Sequence, residues 1–144
     1  MTSHTLRIGL VAGEMSGDQL GAKVMDALAA RWPGTVFEGV GGPRMCERGL
    51  HSFYPMERLS VMGLVEPLKR LPELVGIRRR LRQHFTGRPP DLFLGIDSPD
   101  FNLGLERRLR RAGIPTAHLV SPTVWAWRRG RIRGIRRSVD LMLC

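Results

Sequence analysis

Apolar positions along this chain fall into two alternating rhythms, short continuous runs and longer stretches at helical spacing. The first run, residues 6–12, meets Gly13 and has the length of a strand buried on both faces. A turn follows, and Ser16 with Gln19 three positions on has the spacing of a capping box for a helix reaching about Arg31. Trp32-Pro33-Gly34 stops that helix. Residues 35–40 read as a second strand, closed by Gly41-Gly42-Pro43 and a short helix at 44–48. Residues 59–85 are helical in period, punctuated by Pro67 and Pro72. Their second half puts Leu74, Ile77, Leu81 and Phe85 on one face and Arg78, Arg79 and Arg82 off it. Beyond Pro89-Pro90 the pattern predicts a strand at 91–96, a helix at 99–112, a strand at 115–120, a helical stretch at 122–137 and the opening of a fifth strand at 139–144. Strands alternating with helices predict an α/β fold, a Rossmann-like parallel sheet with helices on both faces. The last apolar run meets the end of the sequence, so the expectation is one domain over residues 1–144 that is a piece of a longer protein.

Composition narrows the class without changing this picture. With 144 residues, 42% hydrophobic and 25% charged, the chain is an ordinary globular domain with neither the bias of disorder nor an internal repeat. The first apolar run is too short for a secretory core or a membrane span. Cys46 and Cys144 are far apart, and His4, His51, His84 and His118 are scattered without ligand spacing. A reduced, cytoplasmic protein with no metal, cofactor or disulfide framework is expected. The net charge of +10 is almost entirely arginine, gathered at 78–82, 107–111 and 128–137. A solvated helix face accounts for such runs as well as an anionic partner does, whether membrane surface, phosphorylated substrate or nucleic acid.

Candidate chemistry lies where predicted strands end. Gly13-Glu14-Met15-Ser16-Gly17-Asp18, Gly95-Ile96-Asp97-Ser98-Pro99-Asp100 and Ser121-Pro122-Thr123-Val124-Trp125 each follow a strand's carboxyl end, the edge where open α/β sheets bind ligands. Ser98-Pro99 and Ser121-Pro122 have the grammar of a serine N-cap followed by proline, and capping explains those residues well. Asp97 precedes the cap and caps nothing, which leaves its carboxylate placed to take a proton from a substrate hydroxyl. Asp100 is explained by the helix dipole. Glycines 13, 17 and 21 match neither a dinucleotide fingerprint nor a P-loop, so the first turn is read as a backbone cradle for an anionic or hydroxyl-rich ligand. The spacing of Asp97 and Asp100 is wider than the D-x-D of a metal-held nucleotide sugar, which favours metal-independent chemistry.

Residues 59–71 are apolar on nearly every side and then abruptly basic. Val61, Leu64, Val65 and Leu68 at helical spacing fit core packing. With Met62, Lys69 and Arg70 they also fit a segment that meets a membrane interface or acyl chains. Trp125 and Trp127 fit core packing better than sugar stacking.

Five segments in order, Val11-Ala12-Gly13-Glu14-Met15-Ser16-Gly17-Asp18, Gly41-Gly42-Pro43-Arg44-Met45, Val61-Met62-Gly63, Gly95-Ile96-Asp97-Ser98-Pro99-Asp100-Phe101-Asn102 and Ser121-Pro122-Thr123-Val124-Trp125-Ala126-Trp127, closely resemble the lipid-A-disaccharide synthase family over essentially the whole chain. The resemblance implies the N-terminal, acceptor-side half of a two-domain GT-B glycosyltransferase, with the C-terminal donor domain for the UDP-sugar absent from these residues. It implies transfer of 2,3-diacylglucosamine from UDP-2,3-diacylglucosamine to the 6-hydroxyl of 2,3-diacylglucosamine 1-phosphate (lipid X), with inversion, giving the β-1,6 disaccharide and UDP. The site of action would be the cytoplasmic face of the inner membrane, reached peripherally. Asp97 matches the family's proposed base, and Glu14, Ser16, Gly17 and Asp18 match its first active-site loop, with Ser98, Asp100 and Ser121 beside them. Without a donor half, these 144 residues alone are expected not to catalyse transfer.

The rival class is a small arginine-rich nucleic-acid-binding domain. The charge suits it. Helix-turn-helix, zinc-finger and RRM signatures are missing, and the aromatic residues are not interleaved with the arginines as a stacking surface requires.

Overall fold

The computed structural model describes residues 5–59, 67–97, 99–119 and 141–143. Its strands are β1 (Arg7–Ala12), β2 (Val36–Gly41), β3 (His51–Pro55), β4 (Leu92–Ile96), β5 (Thr116–Leu119) and β6 (Leu141–Leu143). They form one parallel sheet in the order β3-β2-β1-β4-β5-β6. The helices are α1 (Met15–Arg31), α2 (Pro43–Glu47), α3 (Pro67–Gly87) and α4 (Pro99–Arg111), with a 3-10 turn at Met56–Arg58.

Alternation along the central strands sends side chains into two separate cores. Ile8, Leu10 and Ala12 of β1 pack with Ala22 and Met25 of α1 and Met45 of α2. Val11 of β1, Val40 of β2 and Phe93 of β4 pack on the other face with Ile77, Leu81 and Phe85 of α3 and Phe101, Leu105 and Leu109 of α4. Burial on both faces is why the strands read as continuous apolar runs rather than alternating ones. Each fully buried leucine, Leu10 or Leu105 for example, contributes about 1.5–3 kcal/mol. The Arg78 guanidinium lies 5.9 Å over the Phe101 ring, joining α3 to α4 at their outer seam.

Three local expectations change. Helix α1 begins at Met15 with Glu14 as N-cap and no side-chain capping bond, so Ser16 and Gln19 make no capping box and Ser16 is already inside the first turn. Residues 51–55 form an edge strand that the apolar pattern does not announce, which makes the run at the end of the sequence a sixth strand. The helical stretch at 59–85 begins as α3 at Pro67, where proline costs no backbone bond, and carries Pro72 inside it. The helical stretch expected at 122–137 lies outside the described residues, and no described helix is long and apolar enough to cross a membrane.

Candidate active site at the junction of β1 and β4

The strand order reverses between β1 and β4, since the chain builds outward from β1 through β2 to β3 and then crosses to β4 on the other side. In such sheets the crevice at the carboxyl ends of the two central strands is the ligand site. Ala12 pairs with Ile96 at the end of that ladder, so Gly13 and Asp97 leave the sheet side by side. The turn after β1 and the turn after β4, distant in sequence, are thereby brought together.

Asp97 is 2% exposed and has φ +47, the one non-glycine residue with positive φ among the described residues. Aspartate tolerates this left-handed conformation better than most residues, at a cost of about 1–2 kcal/mol. Its N–H donates to the Leu119 carbonyl of β5 at 2.8 Å, and its own carbonyl accepts from Asn102 Nδ2 at 3.0 Å. A residue held against local preference at a strand end is a recurrent mark of a functional position.

Opposite it, Glu14 is half-buried at the N-terminus of α1, Met15 and Ser16 are exposed, and Gly17 is buried. A Cβ at Gly17 would lie 3.3 Å from Ala12 Cβ and 3.4 Å from Ile96 Cγ2, so glycine lets the first turn of α1 rest on both strand ends. The positive end of the α1 dipole therefore faces the crevice.

Asp18 has a different task from its neighbours. It is buried, and its carboxylate accepts from the backbone N–H groups of Gly42 and Met45 through Oδ1 and of Arg44 through Oδ2, each at 3.0 Å. Helix α2 has no capping side chain of its own. Asp18 supplies one from α1 and satisfies donors that would otherwise be orphaned. It shapes the first loop by tying it to α2. Beyond α2, at the ends of β2 and β3, an open cavity of about 330 Å³ is lined in part by Gly42, Pro43, Ser52, Tyr54 and Met56.

The buried face of α4 carries a polar column that the sequence does not single out. Asn102 Nδ2 donates to the carbonyls of Val11 at 3.1 Å, Ile96 at 3.3 Å and Asp97 at 3.0 Å. One turn on, Glu106 Oε1 lies 2.8 Å from His118 Nδ1, and both side chains are fully buried. A Cβ on Gly95 would fall 1.8 Å from Glu106 Oε1, so only glycine leaves room for that carboxyl group. Burial pushes the Glu106 carboxyl from 4.5 up to about 7, against the lowering effect of the hydrogen bond to His118 and of its charge.

An acid whose pKa is higher folded than unfolded binds its proton more tightly in the folded state. This group therefore favours folding most at low pH, and the benefit is lost as pH rises from about 4.5 through about 7. The loss is on the order of 3 kcal/mol. Glu106→Gln cannot titrate, so the urea midpoint of the variant relative to wild type should rise between about pH 5 and about pH 8. A difference that stays constant over that range would show that Glu106 titrates alike in both states.

Among the remaining expected site residues, Asp100 lies in the first turn of α4, and Leu68, Lys69 and Arg70 lie in the first turn of α3. Ser98, Ser121, Val61, Met62, Leu64 and Val65 lie outside the described residues.

The lipid-A-disaccharide synthetase family profile matches residues 8–144 of the chain. The lipid-A-disaccharide synthase of Saccharophagus degradans is 61% identical over 98% of this chain, and that of Hahella chejuensis 59% identical over 99%. The enzyme of the same name from Azotobacter vinelandii is 62% identical over 96%. The chain spans 36% of the length of each of these three relatives.

Proposed function

The chain belongs to the lipid-A-disaccharide synthetase family, and from that premise we propose that it forms the acceptor-side domain of an inverting glycosyltransferase. The substrates are UDP-2,3-diacylglucosamine as donor and 2,3-diacylglucosamine 1-phosphate as acceptor. The donor's nucleotide is held by a second domain of GT-B type, and the enzyme works peripherally at the cytoplasmic face of the inner membrane. The observation that carries this reading is the meeting of Asp97 with the first loop and the α1 N-terminus where β1 and β4 end.

In this mechanism the Asp97 carboxylate takes the proton of the acceptor's 6-hydroxyl. The freed oxygen attacks the donor's anomeric carbon from the face opposite the leaving group. The bond from that carbon to the diphosphate oxygen breaks, and UDP departs with the electron pair. One displacement inverts the centre and needs one base. The dipole of α1 favours the acceptor's negative charge, with Glu14, Ser16 and Gly17 shaping the wall and Ser98, Asp100 and Ser121 contributing to the acceptor side. Residues 61–70 meet the acyl chains or the membrane.

Apart from the net charge of +10, the nucleic-acid reading has no observation in its favour. Arg79, Arg80 and Arg82 of α3 and Arg107, Arg108, Arg110 and Arg111 of α4 are exposed in the manner of solvated helix faces.

The test is a transfer assay on the full-length protein with both lipid substrates. Disaccharide and UDP should appear in equal amounts, and residues 1–144 alone should release no UDP. Absence of product under conditions where the Hahella chejuensis enzyme is active would overturn the assignment.

A further inference from the structure

We propose that Asn102 is a positioning residue for the acceptor-activating carboxylate, its amide clamping the ends of β1 and β4 so that Asp97 keeps its left-handed backbone. The inference rests on the assignment of Asp97 as the base.

The strand ladder between β1 and β4 ends at Ala12 and Ile96, with Val11 one step inside it and Asp97 one step beyond. One side chain reaches across this end. Asn102 is fully buried, and its Nδ2 reaches Val11 on one strand and Ile96 and Asp97 on the other. All three neighbours are acceptors, which fixes the orientation of the amide, because the flipped form would set Oδ1 against three oxygens. The Asn102 Oδ1 atom is buried with no hydrogen-bond partner among the described residues. Of the replacements that fit, an apolar side chain withdraws the shared donor from all three carbonyls, and a carboxylate repels them.

The clamp acts on the residue that matters. Asp97 is pinned at its N–H by Leu119 and at its carbonyl by Asn102. Between these two bonds lies the φ of +47, which the residue would leave if either were lost. Release of the carbonyl lets the backbone relax to negative φ, and the carboxylate swings away from the first loop. A displacement of about 1 Å at a reacting group costs on the order of a hundredfold in rate. Gly95 completes the device, since the missing Cβ lets α4 approach closely enough for the amide to reach: a Cβ there would stand 3.1 Å from Asn102 Cβ.

A double-mutant cycle in the full-length enzyme reads this directly. Asn102→Ala should lower kcat by about 10- to 100-fold with the acceptor KM changed by less than about threefold. In an Asp97→Asn background the same substitution should cost less than about threefold, because there is no longer a base to aim. If Asn102→Ala yields no folded protein, Asn102→Ser, which keeps a short donor, carries the same comparison. Equal losses in both backgrounds, or a loss confined to KM, would overturn the clamp while leaving Asp97 as base. Near-normal turnover by Asp97→Asn alone would remove the base assignment, and the clamp with it.

Discussion

Asp97→Asn in the full-length enzyme is expected to lower kcat by about two to four orders of magnitude, with substrate affinity nearly unchanged. The substitution is a clean one at this position. Asparagine matches aspartate in shape and enters the left-handed region readily, so φ +47 and both main-chain bonds survive. What disappears is the capacity to take a proton. The residue is only 2% exposed, which leaves little room for bulk water to substitute as base. Single-turnover transfer from labelled donor, with the acceptor saturating, gives the measurement. Turnover within about threefold of wild type would take Asp97 out of the mechanism and return attention to Glu14 across the crevice.

Gly39→Ala should destabilise the fold severely. Gly39 lies in β2 at φ +153, paired with Leu10 of the central strand. A Cβ there would stand 1.8 Å from the Leu10 carbonyl oxygen and 2.8 Å from its carbon. The obstacle is backbone in the middle of the sheet, so no rotamer change relieves it. Relief requires β2 to part from β1, and the pairing of β2 with β3, already shifted between Gly39 and Gly41, would go with it. A loss above about 4 kcal/mol is expected, a large share of what a domain of this size has to lose. The readout is soluble yield and the far-UV circular dichroism melt. A variant that melts within a few degrees of wild type would show that the sheet tolerates the parting of these strands.

The central strands were legible because burial on both faces leaves an unmistakable apolar run, as in β1 and β4. The edge strand β3 was not. His51, Ser52, Phe53, Tyr54 and Pro55 are exposed or half-buried, so the burial that writes such a run is missing there. Asp97 could be picked out because a carboxylate ending a strand, before a helix cap, has no local reason to be there.

In the sequence Asp18 reads as one more loop residue, since the N–H groups it serves lie 24 to 27 positions further along. The Ser16–Gln19 spacing reads as a cap, yet the helix starts one residue before Ser16 and leaves that serine inside it. Asn102 and Glu106 stand one turn apart beside the apolar stripe of α4, a visible irregularity. Their partners on β1, β4 and β5 are fixed only by the assembled sheet.

The crossing from β3 back to the middle of the sheet has a consequence in time. Arg7 and Asp91, whose bond ties the starts of β1 and β4, are 84 positions apart. At about 5–20 residues per second, a ribosome delivers β4 roughly 4 to 17 seconds after β1. Until then β1 is an open edge, its inner row of backbone donors and acceptors available to any passing strand. The arrival of β4 closes that edge and, in the same docking event, sets Asp97 against the first loop. Nascent chains stalled before residue 92 are therefore both aggregation-prone and without a site, and rescue from the first condition is also the creation of the second.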